Sequence, residues 1–253
     1  MLLASLSVLI SLLMQALAPT GTLRAVYLAN NPAQAMKDPV SGEARGVAID
    51  LARDLARRLG TKVTVTGVQS PQNVMDTVAR GEADIGFVAY NPERAGPVEF
   101  SQTYMLVQQT FIVGNDSSIK SVSQIDRANQ KIGATKGDSI ALYLARNLKQ
   151  AQLVEIGDST SAEARQMLLD GKVDALGANR QRLTDALRGA SGLRLLPDDL
   201  YGVEQNIVVA KGKPEVLKVV NQFIDDVRSS GFLRTAIEKS GVIGIAVAPA
   251  VKN

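Results

Sequence analysis

Cysteine and histidine are both absent from this chain of 253 residues. Without them there is no thiol nucleophile, no Cys/His zinc site, no imidazole to move protons and no Ser-His-Asp triad. No disulfide can form and no cysteine can carry a lipid, although this absence alone does not name a compartment. Long runs of one charge are missing too. The 28 Lys and Arg are interspersed with 25 Asp and Glu, for a net charge of +3. No basic block or basic–aromatic alternation marks a nucleic-acid surface, so nucleic acid is not an expected partner. Nor is any Gly/Ser-rich polar stretch long enough to act as a flexible linker.

What is present is an ordinary globular composition, 45% hydrophobic and 21% charged, in a length that suits one large or two modest α/β domains. The opening MLLASLSVLISLLMQALAPT carries no charged side chain and resembles the apolar core of a secretory signal. It is atypical for one: no Lys or Arg precedes the apolar run, and Pro19 follows the small-residue site Ala16-Leu17-Ala18. A docked helix and a start codon that truncates a basic leader are the other readings; an export segment over residues 1–22 is the one taken.

Periodicity then organises the chain. LRAVYL (Leu23–Leu28) reads as a first strand and the polar ANNPAQ after it as a loop. GVAIDLARDLARRLG repeats Leu51, Leu55 and Leu59 at helical spacing and ends at Gly60. Val63 and Val65 alternate as a strand. Ser70-Pro71 opens a helix that ends at Gly81, and Ile85–Ala89 is the next strand. Strand, helix, strand, helix, strand implies a sheet of parallel strands with helices on its faces. The middle of the chain repeats the plan: strand Lys131–Thr135, turn KGDS into a helix, strand LVEI, a helix over Ala162–Asp170 with Thr160 and Glu163 as a capping box, and strand Val173–Ala178. The last third reads as strand LRLLP, loop DDLYGVEQ, strand NIVVAKG and two helices. ARGEADIGFVAYN and LDGKVDALGAN share one pattern, which fits two lobes on one βαβ plan.

In such sheets ligands bind beyond the carboxyl ends of the strands. Asn30, Asn31 and the loop from Tyr90 through Asn91 to Arg94 all follow strand ends. Arg94 is a lone basic residue just past the apolar strand, and the next charge is Glu99. A guanidinium forks two N–H groups toward a carboxylate, each charge-assisted bond worth roughly 1.5–3 kcal/mol. The plainer alternative pairs it with Glu93 or Glu99 at the surface. Asp138 and Ser139 open a helix: Asp138 is expected to cap it while the free N–H groups favour an anion, and Asp138 as a direct ligand of an amine is the second reading. Asn179 ends a strand or starts a helix. Arg180, turned toward a ligand, would signal a second acid group; turned to water, it signals nothing. Asp50, early in a helix, is read as structural.

GVAIDLARDLARRLG, ARGEADIGFVAYNPERAGPVEFSQTY, KIGATKGDS and LLDGKVDALGAN, in that order, resemble the solute-binding proteins of bacterial ABC importers, in the branch that includes the polar amino-acid binders. The resemblance runs from about Leu23 to the last helix. It implies an α/β, two-lobe periplasmic-binding-protein-like (Venus-flytrap) fold, with lobe 1 over residues 23–112 and 204–253 and lobe 2 over 113–203. Crossovers are expected near Thr110–Asn115 and Tyr201–Asn206. It implies a monomeric periplasmic protein that traps a small carboxylate-bearing solute in an interlobe cleft and delivers it to a membrane permease, with no metal and no cofactor. Arg94 matches the family's carboxylate-binding Arg, and Ser139 a Ser/Thr that supports it, with Asp138 beside it. Three positions depart from the pattern: Ala89 where a Ser often serves the ligand amine, Asn31 where an aromatic residue often packs, and Asn179 where an Asp usually meets the α-ammonium. The alternative on the same scaffold is a dehydratase or lyase of a small carboxylic acid, for which Lys136, Asp138 and Glu204 are the available acid–base groups. A sensor or docking module is a third class.

Overall fold

The computed structural model describes residues 16–29, 31–38, 40–91, 96–157 and 161–250. In chain order its elements begin with β1 (Thr22–Leu28), the short pair β2 (Met36–Lys37) and β3 (Ala44–Arg45), α1 (Val47–Leu59), β4 (Lys62–Val68), α2 (Pro71–Ala79), β5 (Ile85–Ala89), β6 (Val98–Phe100) and β7 (Met105–Gly114). There follow β8 (Lys131–Thr135), α3 (Ser139–Asn147), β9 (Gln152–Ile156), α4 (Ser161–Leu169), β10 (Ala175–Asn179), α5 (Arg180–Leu187) and β11 (Leu193–Leu195). The chain ends with β12 (Tyr201–Ala210), α6 (Pro214–Ser229), α7 (Phe232–Ser240) and β13 (Ile245–Val247). No helix among the described residues is long and apolar enough to cross a membrane. The N-terminal segment read as an export signal lies outside the described residues as far as residue 15, as do Asn30 and the expected capping residue Thr160.

Two compact units share the chain. The first takes residues 1–106 and 204–253, the second residues 107–203, so the chain passes from one to the other within β7 and returns within β12.

In the first unit β1 pairs in parallel with β4 and with β5, while β12 runs antiparallel to β5 and β6. The helices form for local reasons. Ser70 accepts the Asn73 N–H through its hydroxyl and Pro71 occupies the first turn of α2, where its missing N–H costs nothing. α1 buries Ile49, Leu51, Leu55 and Leu59 and stops where Gly60 turns left-handed at φ 68°. Val74, Met75 and Val78 of α2 meet Val26, Val88 and Val208 of the sheet in a core cluster. DDLYGVEQ was expected to be a loop; its second half is the start of β12, because Gln205 pairs with Ala89 and accepts the Tyr104 N–H.

In the second unit β8 is flanked by parallel partners β9 and β10, and β10 and β11 run antiparallel to β7. Phe111, Ile132, Ala134, Ile140 and Leu144 form one core cluster and Ile112, Ile156, Leu168, Leu176 and Leu183 another. Gly177 is where the strand β10 admits Phe111 and Ile140: a Cβ there would lie 2.8 Å from both. Each unit is therefore a mixed sheet with flanking helices. β2, β3, β6, β13 and α5 went unread in the sequence because each is short or lacks a clean apolar period.

Candidate functional site

In the first unit the loop after β1 is built around one buried amide. Asn31 accepts the Ala33 N–H through Oδ1 at 3.1 Å, while its carbonyl accepts from Gln34 and Ala35. Gln34 is fully buried. Its Oε1 accepts the Leu28 N–H at 3.1 Å, and its Nε2 donates to Gln205 Oε1 at 3.2 Å. Its own carbonyl accepts the Ala48 N–H at 3.0 Å at the start of α1. Gly46 permits that approach: at φ 144° it places its α-carbon so close that an added Cβ would lie 2.6 Å from the Gln34 carbonyl oxygen.

Gln205 also lies opposite Ala89, the last residue of β5. The loop that carries Asn31 and the strand end that carries Ala89 are thus tied through one pair of buried amides. Tyr90 follows; its N–H donates to the Glu204 carbonyl and its ring meets Phe100 edge-on at 5.1 Å, still 45% exposed. Asn91 is half-buried and engaged. Arg94 lies outside the described residues. Glu204, one of the acid–base candidates, accepts a hydrogen bond from the Thr103 hydroxyl at 3.1 Å. Tyr104 is wholly buried, and that burial raises its phenol pKa far above the ordinary range, so it stays neutral.

In the second unit the neighbouring strands β8 and β10 both lead into helices at their carboxyl ends. Asp138 holds the N-cap position of α3, yet its carboxylate makes no capping bond, contrary to the expectation. It accepts instead from Arg182 Nη1 at 2.9 Å. Asn179 accepts the Arg182 backbone N–H at 2.8 Å and so caps α5. Arg182 therefore gathers Asp138 and Asn179, with the exposed Ser139 as the first residue of α3. The Asp138–Arg182 pair is 40% and 41% exposed, a setting in which an ion pair is worth about 0–1 kcal/mol and a ligand group can displace it.

Arg180 is engaged within its own unit. It bonds Asp199 at 2.6 Å and the Asp198 carbonyl at 2.8 Å, and clamps the segment before β12. Asp198 anchors the same segment from the other side. Burial works against its charge, but the Ser121 hydroxyl, the Val122 N–H, its own backbone N–H and the Arg180 charge together hold its pKa below the usual carboxylate range. No group of carboxylates suited to a metal ion occurs among the described residues. The Gln34–Gln205 pair and Arg182 are the residues that sequence reasoning missed. Gln34 stands in a polar, Pro-containing stretch that reads as solvent-facing loop. Arg182 had a weak signal in its position three residues after Asn179, where an N-cap acceptor finds its N–H.

The model of the family described as bacterial extracellular solute-binding proteins, family 3, matches residues 23–241. The chain is 26% identical over 201 residues to the ABC transporter glutamine-binding protein GlnH of Bacillus subtilis (strain 168), across 78% of this chain and 72% of that protein. Among solved structures, an ancestral cationic amino acid solute-binding protein superposes with a TM-score of 0.66 at 26% identity, covering 90% of this chain and 98% of the other. A putative binding component of an ABC transporter from Wolinella succinogenes, complexed with lysine, gives a TM-score of 0.67 at 25% identity, covering 87% and 95%. The architecture is that of the two-lobe periplasmic binding proteins.

Proposed function

The chain belongs to family 3 of the bacterial extracellular solute-binding proteins, and we propose that it binds a small carboxylate-bearing solute, an amino acid or close analogue, and delivers it to the permease of an ABC importer. The observation that carries this reading is the match to the family over residues 23–241, across both units. Relatives named for glutamine, L-cystine and L-arginine binding support the solute class. In this reading the protein is exported to the periplasm, works as a monomer and leaves its ligand chemically unchanged.

In this reading Arg94 holds the ligand carboxylate, and Asn31, Ala89, Tyr90 and Asn91 are the other ligand-binding residues of the first unit. Ser139 and Asn179 serve the remaining ligand groups from the second unit. Amine recognition is weakened in this chain. The Asn179 oxygen is occupied by the Arg182 N–H, and the Asp138 carboxylate by the Arg182 guanidinium. A ligand ammonium must displace Arg182 from Asp138 or do with a neutral amide.

Calorimetry tests the reading. A panel of amino acids and their deaminated counterparts is titrated into the intact protein and into Arg94→Ala. Two charge-assisted bonds at roughly 1.5–3 kcal/mol each predict at least a hundredfold loss of affinity in the variant. Undiminished binding there would refute the assignment of Arg94. NMR of the ligand after prolonged incubation separates binding from catalysis: a changed ligand would favour the dehydratase or lyase alternative.

A further inference from the structure

α1 and α7 pack together in the first unit. A concave groove of about 310 Å³ opens between them, at the small end of volumes that suit a bound small molecule. One wall is Asp50, Arg53, Asp54 and Arg57, spaced i, i+3, i+4, i+7 along α1. The other repeats that spacing along α7 with Phe232, Thr235, Ala236 and Lys239. Residues so spaced share one face of a helix, so two complete helix faces meet across the groove. None of the strand-end residues discussed above lines it.

The charges in it are not balanced against one another. Asp54 is 4% exposed, and both its oxygens are taken, one by Arg57 at 2.6 Å and the other by Arg58 at 2.7 Å. Its carboxylate is spent. Lys239 approaches Asp50 only to 3.4 Å and is 73% exposed, a loose pair. Arg53 is exposed and makes no ion pair or hydrogen bond among the described residues. Three cations against two carboxylates leave a single net positive charge along the lining. The α7 wall adds an apolar platform, the half-exposed Phe232 ring and the buried Ala236. A solvated charged face needs neither a concavity nor an aromatic platform. A cation without a partner beside an apolar surface suits a ligand with one planar anionic group and an apolar body.

We propose that the α1–α7 groove is a second binding site, for a small monocarboxylate with an aromatic or branched apolar body. Its carboxylate is held by Arg53, supported by Lys239, and its body rests on Phe232 and Ala236. The site goes beyond the transported solute and does not depend on which solute that is.

The test is an NMR titration of the full chain with benzoate as probe. Benzyl alcohol serves as its uncharged counterpart and inorganic phosphate as an anion without an apolar body. Benzoate is expected to shift Phe232, Thr235 and the Arg53 side chain saturably, at least tenfold more tightly than either control. The exposed substitutions Arg53→Gln and Lys239→Gln together should weaken it tenfold or more while thermal unfolding of the free protein is unchanged. Arg94→Ala should leave it intact, which separates this site from the transport ligand's. Equal binding of benzyl alcohol or phosphate, no saturable shift, or benzoate lost in Arg94→Ala and kept in the double variant would each overturn the proposal.

Discussion

Replacing Gln34 by Leu keeps nearly the same volume and removes both hydrogen bonds of its buried side chain, the one accepted from Leu28 N–H and the one donated to Gln205. The amide of Leu28 ends β1 and has lost its only side-chain acceptor. A buried donor left unsatisfied costs about 1–3 kcal/mol. The Gln205 oxygen loses a donor as well, although that residue keeps a further interaction, so its share is smaller. The sum is about 2–4 kcal/mol. With an m value of about 2–3 kcal/mol/M in urea, the midpoint of the first unit's unfolding should fall by roughly 1 M. Gln34→Ala should fall further, because it adds a cavity to the same orphaned groups. Hydrogen exchange gives the local readout: the Leu28 amide should exchange much faster in Gln34→Leu, while amides in β8 to β10 of the second unit keep their protection. Solute affinity should drop too, since the loop carrying Asn31 is no longer tied to the strand end at Ala89. A Gln34→Leu protein within about 0.5 kcal/mol of the parent, with Leu28 exchange unaltered, would show that the amide pair does not hold the loop, and the reasoning would fail.

Asn179→Asp keeps an acceptor for the Arg182 N–H and adds a carboxylate, so it should raise the affinity for an α-amino acid relative to its deaminated analogue by several-fold in calorimetry; an unchanged ratio would remove Asn179 from amine recognition. Gly177→Ala forces a methyl against the Phe111 ring and Ile140 at 2.8 Å and should cost about 1–3 kcal/mol in chemical unfolding, the usual range for overpacking. Gly46→Ala should cost more, because its new methyl meets main-chain atoms of Gln34 and Ala35 at 2.6 Å, which cannot rotate away. Acid should destabilise the second unit through Asp126 and Asp198. The Asp126 pKa is held down chiefly by the Ala151 N–H, with those of Gln150 and Lys149 adding to it. A carboxylate whose folded pKa is depressed supplies stability above its unfolded pKa of about 3.9, and that stability is lost as pH falls through the lower folded value. Unfolding followed from pH 6 to pH 2 should show the loss beginning near pH 4, and Asp126→Asn should flatten the profile.

Sequence reasoning reached the parts of this molecule that repeat. α1, α2 and α3 each bury a periodic apolar face, and β5 and β8 are continuous apolar runs buried on both sides; both signals survive tertiary context because they reflect how a helix or strand meets a core. It reached strand ends too: Asn31 past β1, Ala89 and Asn179 as the last residues of β5 and β10, and Asp138 at the turn from β8 into α3. What it did not reach was where polar side chains go once the chain is folded. Asp138 precedes a helix and reads as a cap, yet Arg182, 44 residues later, takes its carboxylate. Gln34 reads as loop surface, yet Gln205, 171 residues away, makes it core. Arg180 reads as solvated and is a clamp on the 196–199 segment. A hydrogen bond is directional and is made with one particular atom, so its partner carries no period that a one-dimensional pattern can register. The consequence for recognition is specific. The resemblance puts an Asp at position 179 in the amine binders; this chain has an Asn whose oxygen caps α5 by accepting the Arg182 N–H, and the guanidinium of the same Arg182 takes the Asp138 carboxylate. In the proposed reading, amine selectivity turns on whether a ligand can compete with Arg182 for the Asp138 carboxylate.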